Sequence, residues 1–155
     1  ELRFLREEKL HVIRDERQCL KRLKRDKIQG HLQSIPGVGF HTAVMLQAEL
    51  WDLQRFEDKD ALSSYVGFAP RLVGSGAHEV LKSAGNRKKK QLHAILIQAA
   101  WRSVLHNLEM RARYGALLHK GANPQRAISI IAKKLLYALR AVWLQERDYV
   151  VSANE

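Results

Sequence analysis

The stretch that most constrains the fold runs from Leu32 to Gly39 and reads Leu-Gln-Ser-Ile-Pro-Gly-Val-Gly. Pro and Gly punctuate regular structure, and Gly37 and Gly39 can take positive backbone φ and leave room for close approach by another molecule. An apolar helix end precedes this turn and a helical run, Thr42–Leu53, follows it. The pattern predicts a helix-hairpin-helix element.

A turn of this kind has a physical use. Its exposed amide hydrogens face the same way as the start of the next helix, where the helix dipole favours an anion. Such a turn holds a phosphate without reading a base. The alternative interpretation is an ordinary turn between two packed helices, since many of those also contain Pro and Gly.

The charge balance favours phosphate binding. Lys and Arg number 27 against 16 Asp and Glu, a formal net charge of +11, and the excess is concentrated in residues 71–90 and 102–147. Local basic excess is an electrostatic footprint for a polyanion. A membrane surface is the rival, but no basic amphipathic helix is flanked by lipid-seeking aromatics, and no apolar run approaches the ~20 residues that span a bilayer. We therefore expect nucleic acid as the partner and no membrane.

The first part of the chain predicts one long helix that ends at Gly30 as its C-cap residue, because residues 1–29 contain neither Gly nor Pro. Leu5, Val12 and Cys19 repeat by seven and mark a narrow apolar seam, which suits packing against a partner. The chain starts at Glu1 without an initiator Met, and we interpret it as a fragment of a longer protein. The expected division is a coiled-coil-like linker at 1–30, a compact helical domain at 31–149 and a tail at 150–155.

The remaining pattern is helical and shows no convincing strand, so the expected fold is all-α. Apolar residues at helical spacing predict four further helices: 59–66, one that begins with the basic run Arg87–Lys90, 108–120 and a last one from Asn123-Pro124.

No metal site is expected within the chain. The seven histidines show no ligand spacing with Cys, Asp or Glu, and the single Cys19 cannot form an internal disulfide, which suits a reducing, cytoplasmic compartment. Glu57, Asp58 and Asp60 cluster, but acids at a helix start usually complement the dipole.

The glycine-rich basic segment 71–86 is where a site is expected, because a rigid scaffold positions loops for chemistry. Ser75 lies between two glycines, and a serine that attacks a phosphodiester needs a base or metal and nearby cations. Lys82 and Arg87–Lys90 could supply the charge. Four cations at a helix start oppose its dipole, so a bound anion explains them better than local stability does. On these residues alone, a glycine-flanked serine is more often an ordinary loop residue.

The ordered motifs resemble the C-terminal domain of insertion-sequence 110 family transposases over about residues 31–149. They are the 32–39 turn, Thr42-Ala43, Ala48-Glu49-Leu50, Arg55-Phe56, Leu62-Ser-Ser-Tyr-Val-Gly-Phe-Ala-Pro70, Ser75-Gly76, Gly85-Asn86, Ala99-Ala100-Trp101 and Ala132-Lys-Lys-Leu135.

This resemblance implies an RNA-guided DNA recombinase in which a bridge RNA pairs with donor and target DNA. A RuvC-like domain, absent from this chain, would hold magnesium on its acidic residues, so the fragment alone should not cleave DNA. Ser75 would be the nucleophile that forms a covalent link to DNA. Ser83 is the backup, because the loop is shorter than usual in the family and Lys82 is out of register.

The resemblance also implies a prokaryotic protein whose domains combine across protomers, here through the N-terminal helix, in a dimer or tetramer. A non-catalytic helix-hairpin-helix module for nucleic-acid binding and dimerisation is the alternative function. Nucleic-acid contacts are predicted at Gly37, Gly39, Lys82, Asn86, Arg87, Lys88, Lys89, Lys90, Lys133 and Lys134.

Overall fold

The computed structural model describes residues 1–68 and 87–150, with the backbone alone at 87–89. Every regular element in these ranges is an α-helix, so the predicted all-α class is confirmed. None of these helices has both the length and the hydropathy to cross a bilayer. The helices are α1 (Leu2–Arg22), α2 (Asp26–Gln33), α3 (Phe40–Leu50), α4 (Lys59–Val66), α5 (Arg87–His106), α6 (Leu108–His119) and α7 (Pro124–Gln145).

The long N-terminal helix is present but ends earlier than predicted. The amide of Arg25 donates to the carbonyl of Leu20 at 2.9 Å and that of Lys24 to Lys21 at 3.1 Å, while Lys24 takes a φ of 55°. These two bonds form a Schellman motif, the usual left-handed end of a helix, with Lys where Gly is customary. The prediction of one helix ending at Gly30 was wrong, because Gly30 lies within α2.

The apolar seam of α1 faces solvent. Leu5 and Val12 are more than half exposed, Cys19 is exposed, and Leu20 is the one buried residue of the helix. The second half of α1 nevertheless touches α3, since Glu16 lies 3.2 Å from His41 and Arg17 stacks over the Phe40 ring at 5.2 Å. The predicted packing of a partner against the rest of the seam stays a prediction.

The turn between α2 and α3 is a hydrogen-bonded reversal of the kind that Pro-Gly favours. The amide of Val38 donates to the carbonyl of Ile35 at 3.0 Å, with Pro36 and Gly37 between them and Gly37 at a φ of 89°. This matches a type II β-turn, which requires positive φ at its third residue. The two helices are also joined inside the core, where Nε2 of Gln47 donates to Oε1 of Gln29 at 2.7 Å.

Side-chain caps set the starts of three later helices. Asp58, Asn107 and Asn123 each accept a backbone amide of the first turn of α4, α6 and α7, and Pro124 follows Asn123 as predicted. The bounds of α4 match the prediction, while α3 begins and ends earlier than Thr42–Leu53.

The core lies where α2, α4 and α5 pack onto α7 and where α3 packs onto α2 and α5. The apolar residues at helical spacing, from which the helices were predicted, form the buried faces of α3, α5 and α7 and the residue Leu53 after α3: Ala43, Leu46, Leu50, Leu53, Leu92, Leu96, Ala99, Val104, Ile128, Ile131, Leu135, Leu139 and Val142. Helices α5, α6 and α7 enclose a second, smaller cluster around Met110 and Ala132. The start of α3 lies between α1 and α5.

Candidate nucleic-acid interface

The predicted residues divide into those within and those outside the described ranges. Ser75, Lys82, Ser83 and Asn86 lie outside the described residues, so their predicted roles stay predictions. Arg87, Lys88 and Lys89 form the first turn of α5, and Lys90 after them is exposed.

A groove of about 500 Å³ opens at the start of α3. Helices α1 and α5 form its walls, and it contains the predicted phosphate-binding residue Gly39. Its lining is Lys9 and Ile13 from α1, Gly39, Phe40, His41, Thr42 and Met45 from the α3 side, and Gln91, Ile95, Gln98 and Arg102 from α5.

The first turn of α3 has no side-chain cap. Gly39 occupies the N-cap position in an extended conformation and offers no side-chain oxygen to the helix. The first amides of any α-helix lack intrahelical acceptors, and together with the helix dipole they favour an anion. The start of α3 therefore presents backbone donors toward the groove.

Cationic side chains surround these donors. Lys9 enters from α1, and Nη1 of Arg102 on α5 lies 3.5 Å from the Oγ1 of Thr42. His41 faces the carboxylate of Glu16, the one acid that contacts a lining residue through an ion pair in the described part of the chain. The local charge is therefore positive, as binding of a phosphate backbone requires.

The two glycines of the turn differ in what they contact. A Cβ at Gly37 would lie 2.4 Å from the carbonyl oxygen of Ala99 and 2.7 Å from the amide nitrogen of Ser103, both on α5. A Cβ at Gly39 would meet nothing within 4 Å. Gly37 thus allows close approach by the chain's own helix, and Gly39 is the glycine that borders the groove.

Lys133 and Lys134 lie on α7 and already have acidic partners. Nζ of Lys133 is 3.7 Å from Asp60, and Nζ of Lys134 is 3.4 Å from Glu109. The Tyr137 hydroxyl donates to Asp60 at 2.6 Å, and this hydrogen bond, with help from the Lys133 charge, lowers the pKa of the Asp60 carboxyl. Neither lysine lines the groove at α3, and their predicted contact with phosphate stays a prediction.

Sequence reasoning missed Lys9 and Arg102. Both belong to helices far from the turn in sequence; Lys9 lies outside the two basic stretches, and Arg102 is only the first residue of the broad stretch 102–147. Only the packing of α1 and α5 beside α3 brings them to the groove.

The described residues offer no metal centre. No group of three or more His, Cys, Asp or Glu side chains converges within residues 1–68 and 90–150. Asp58 and Asp60, part of the acidic cluster in the sequence, are engaged as the α4 cap and as the partner of Tyr137.

The fold and the site together define an all-helical domain in which the uncapped start of one helix lies in a cationic groove. The family model described as "Transposase IS116/IS110/IS902 family" matches residues 29–115, more than half of the chain. The chain belongs to this transposase family, as the resemblance of its motifs indicated.

Two curated relatives agree with this assignment. The transposase for insertion sequence element IS1111A of Coxiella burnetii (strain RSA 493 / Nine Mile phase I) is 33% identical over 98 residues, which are 63% of this chain and 27% of the relative. The transposase for insertion sequence element IS1328 of Yersinia enterocolitica is 27% identical over 130 residues, 83% of this chain and 39% of the relative. The chain thus spans less than half the length of either relative.

Proposed function

We propose that this chain is the DNA-binding part of a transposase and supplies a serine nucleophile for DNA strand cleavage and exchange. The DNA-binding part of this proposal rests on the groove at the start of α3, which Lys9, Arg102 and the uncapped first turn of α3 line. Family membership supports the reaction class.

The grip on DNA uses the α2–α3 turn as a helix-hairpin-helix. Gly37 locks the turn onto α5, and Gly39 leaves the first amides of α3 open to a phosphate. Lys9 and Arg102 flank that phosphate, and Lys90 continues the positive surface from the adjacent start of α5. Contacts of this kind position a duplex without reading its sequence.

In the chemical step, Ser75 attacks a DNA phosphodiester. The serine hydroxyl gives its proton to a base as the bond between Oγ and phosphorus forms. The bond from phosphorus to a bridging sugar oxygen breaks, and that oxygen takes up a proton as it leaves. Lys82 and the run Arg87–Lys90 bind the phosphate whose charge develops. Ser83 is the backup nucleophile.

The partners follow from the family resemblance. A bridge RNA pairs with donor and target DNA, and a further domain with spaced acids contributes magnesium. The described residues of this chain hold no acidic cluster fit for that ion. The exposed seam of α1 suits a second copy, which would bring domains from different protomers together.

The test of the nucleophile is recombination by the full-length transposase that carries Ser75→Ala or Ser83→Ala. We expect Ser75→Ala to abolish recombination and Ser83→Ala to leave it nearly intact, with DNA binding retained in both. Recombination by Ser75→Ala together with its loss in Ser83→Ala would move the assignment to Ser83. Normal recombination by both variants would refute the serine mechanism.

The second candidate is a non-catalytic module for nucleic-acid binding and dimerisation. The exposed apolar positions Leu5, Val12 and Leu2 on α1 favour it, because a partner helix would cover them. This candidate predicts that both serine variants bind DNA normally and that neither affects strand exchange.

Both candidates predict steep salt dependence of DNA binding, since each neutralised phosphate releases counterions. A flat salt response in a titration with duplex DNA would count against both.

A further inference from the structure

A second cleft, of about 330 Å³, lies where the C-terminal ends of α1, α3 and α7 meet. It is separate from the groove at the start of α3 and shares no lining residue with it. The lining includes Lys24 and Arg25 after α1, Trp51 and Asp52 after α3, and Trp143 and Glu146 at the end of α7.

The backbone around this cleft is strained. Lys24, Trp51 and Glu146 have φ of 55°, 51° and 47°, and they are the non-glycine residues with positive φ in the described part of the chain. Trp51 combines its φ with a ψ of −62°, and the amide of Asp52 donates to the carbonyl of Leu50 at 2.6 Å. This is a γ-turn of the rare, strained form. Strain of this kind persists where the surrounding structure enforces it, and it clusters at functional sites.

The strained turn holds an indole at the surface. Trp51 is 55% exposed, and the guanidinium of Arg25 stacks over its ring at 4.5 Å and lies 5.8 Å from the ring of Trp143. Nη1 of Arg25 is buried yet has no hydrogen-bond partner among the described residues. Because this atom is closed to solvent, the surface that the cleft offers to a ligand is the exposed part of the Trp51 ring.

The charges around the cleft exclude a phosphate as its main occupant. Lys24 and Arg25 are balanced by Asp52 and Glu146, and three helix C-termini add partial negative charge. The cleft therefore suits a neutral, flat, aromatic group. An unpaired nucleobase has these properties, and base stacking on an exposed aromatic ring tolerates any sequence.

We propose that this cleft binds an unstacked nucleobase of a single-stranded segment of DNA or RNA. The base stacks on the exposed part of the Trp51 ring, and the guanidinium of Arg25 supports the ring by stacking over it. Lys24 meets the adjoining phosphate at the rim. The proposal rests on nucleic-acid binding by the chain and adds a site for single strands beside the groove for the backbone.

An aromatic side chain of another protein is the rival occupant. The net charge of +11 favours a polyanionic partner over an average protein surface, and the exposed indole of Trp51 can stack a base of any kind. These two observations favour the base.

The test compares two strands of equal charge and of about 12 nucleotides, one with bases and one abasic throughout, each in DNA and RNA form. Affinities are measured by fluorescence anisotropy with this chain and its variants, whose folding is checked by circular dichroism. We expect the base-bearing strand to bind about ten- to a hundredfold tighter than the abasic strand. Trp51→Leu should reduce this preference to near unity while leaving affinity for the abasic strand unchanged.

Two further variants distinguish the loss of base stacking from a general folding defect. Arg25→Lys keeps the charge but loses the planar guanidinium, so it should also lower the preference for bases. Trp101→Leu is the matched control, since Trp101 is 41% exposed and does not line the cleft, and it should keep the full preference.

The proposal is overturned if the wild-type chain binds both strands equally, or if Trp51→Leu and Trp101→Leu behave alike. It is also overturned if Trp51→Leu changes sedimentation of the protein while the preference for bases persists, which would identify a protein occupant. Duplex binding with a steep salt response in any of these cases leaves the proposed function intact. Loss of all binding, duplex included, refutes both.

Discussion

The groove at the start of α3 and the cleft at the ends of α1, α3 and α7 use opposite ends of helices. The groove collects uncapped amides with Lys9 and Arg102, so its field attracts anions. The cleft collects helix C-termini with charges that balance, so its field does not attract phosphate. Helix α3 contributes its first turn to the groove, and Trp51 and Asp52, which directly follow it, line the cleft.

The two sites also differ in how the backbone is held. In the turn before the groove, the positive φ falls on Gly37, where glycine carries no steric penalty. At the cleft, Lys24, Trp51 and Glu146 take positive φ without that freedom. The comparison teaches that this fold places unstrained backbone beside the groove and strained, non-glycine residues beside the cleft.

The largest expected effect is that of Gly37→Ala. Its new Cβ would clash with the Ala99 carbonyl and would also sit at positive φ, so we expect a loss of about 3 kcal/mol in the free energy of unfolding. Urea denaturation measures it. Gly39→Ala is the control, because its Cβ meets open space and should change stability by less than about 0.5 kcal/mol. Equal losses in the two variants would show that the turn is not held by α5.

An intermediate effect, of opposite sign, is expected for Lys24→Gly. Glycine relieves the left-handed position that ends α1, so the free energy of unfolding should rise by about 1 kcal/mol. The same substitution at Lys21, inside α1, should lower it by a similar amount. Thermal denaturation of the two variants measures the sign of each change in stability. Destabilisation by both would contradict the claim that Lys24 is strained.

The smallest expected effect is that of Lys9→Gln on duplex binding. One phosphate contact fewer should weaken affinity several-fold and reduce the slope of log K against log salt by about 1. Lys120→Gln, which removes the same charge from the C-terminal end of α6, should leave the slope closer to that of the wild type. An identical slope change in both variants would mean that net charge, and not the groove, sets the affinity.

Much of the fold was predictable because its signals are local. Helical periodicity placed the buried faces of α3, α5 and α7, and Asn123-Pro124 marked the start of α7. Pro36-Gly37 predicted the reversal between α2 and α3. The end of α1 was not predictable, because lysine at a left-handed position has no sequence signature and Gly30 offered a false one.

The candidate site was predictable only in part. Gly39 borders the groove, and its predicted contact with nucleic acid stays a prediction. Gly37 was expected to leave room for another molecule, but the space beside it is filled by α5. The basic residues Lys133 and Lys134 have intramolecular acidic partners that no spacing in the sequence announces. Ser75 and Ser83 lie outside the described residues, and their roles stay predictions.

The sequence by itself determined the helices, the turn and the basic character of the chain, because propensity, periodicity and net charge act over a few neighbouring residues or over the whole composition. Only the tertiary structure decided that Lys9 and Arg102 meet at the start of α3, and that Arg25, Trp51 and Trp143 stack where three helices end. These groups come from distant helices, and their proximity depends on how buried faces pack, which no local pattern specifies.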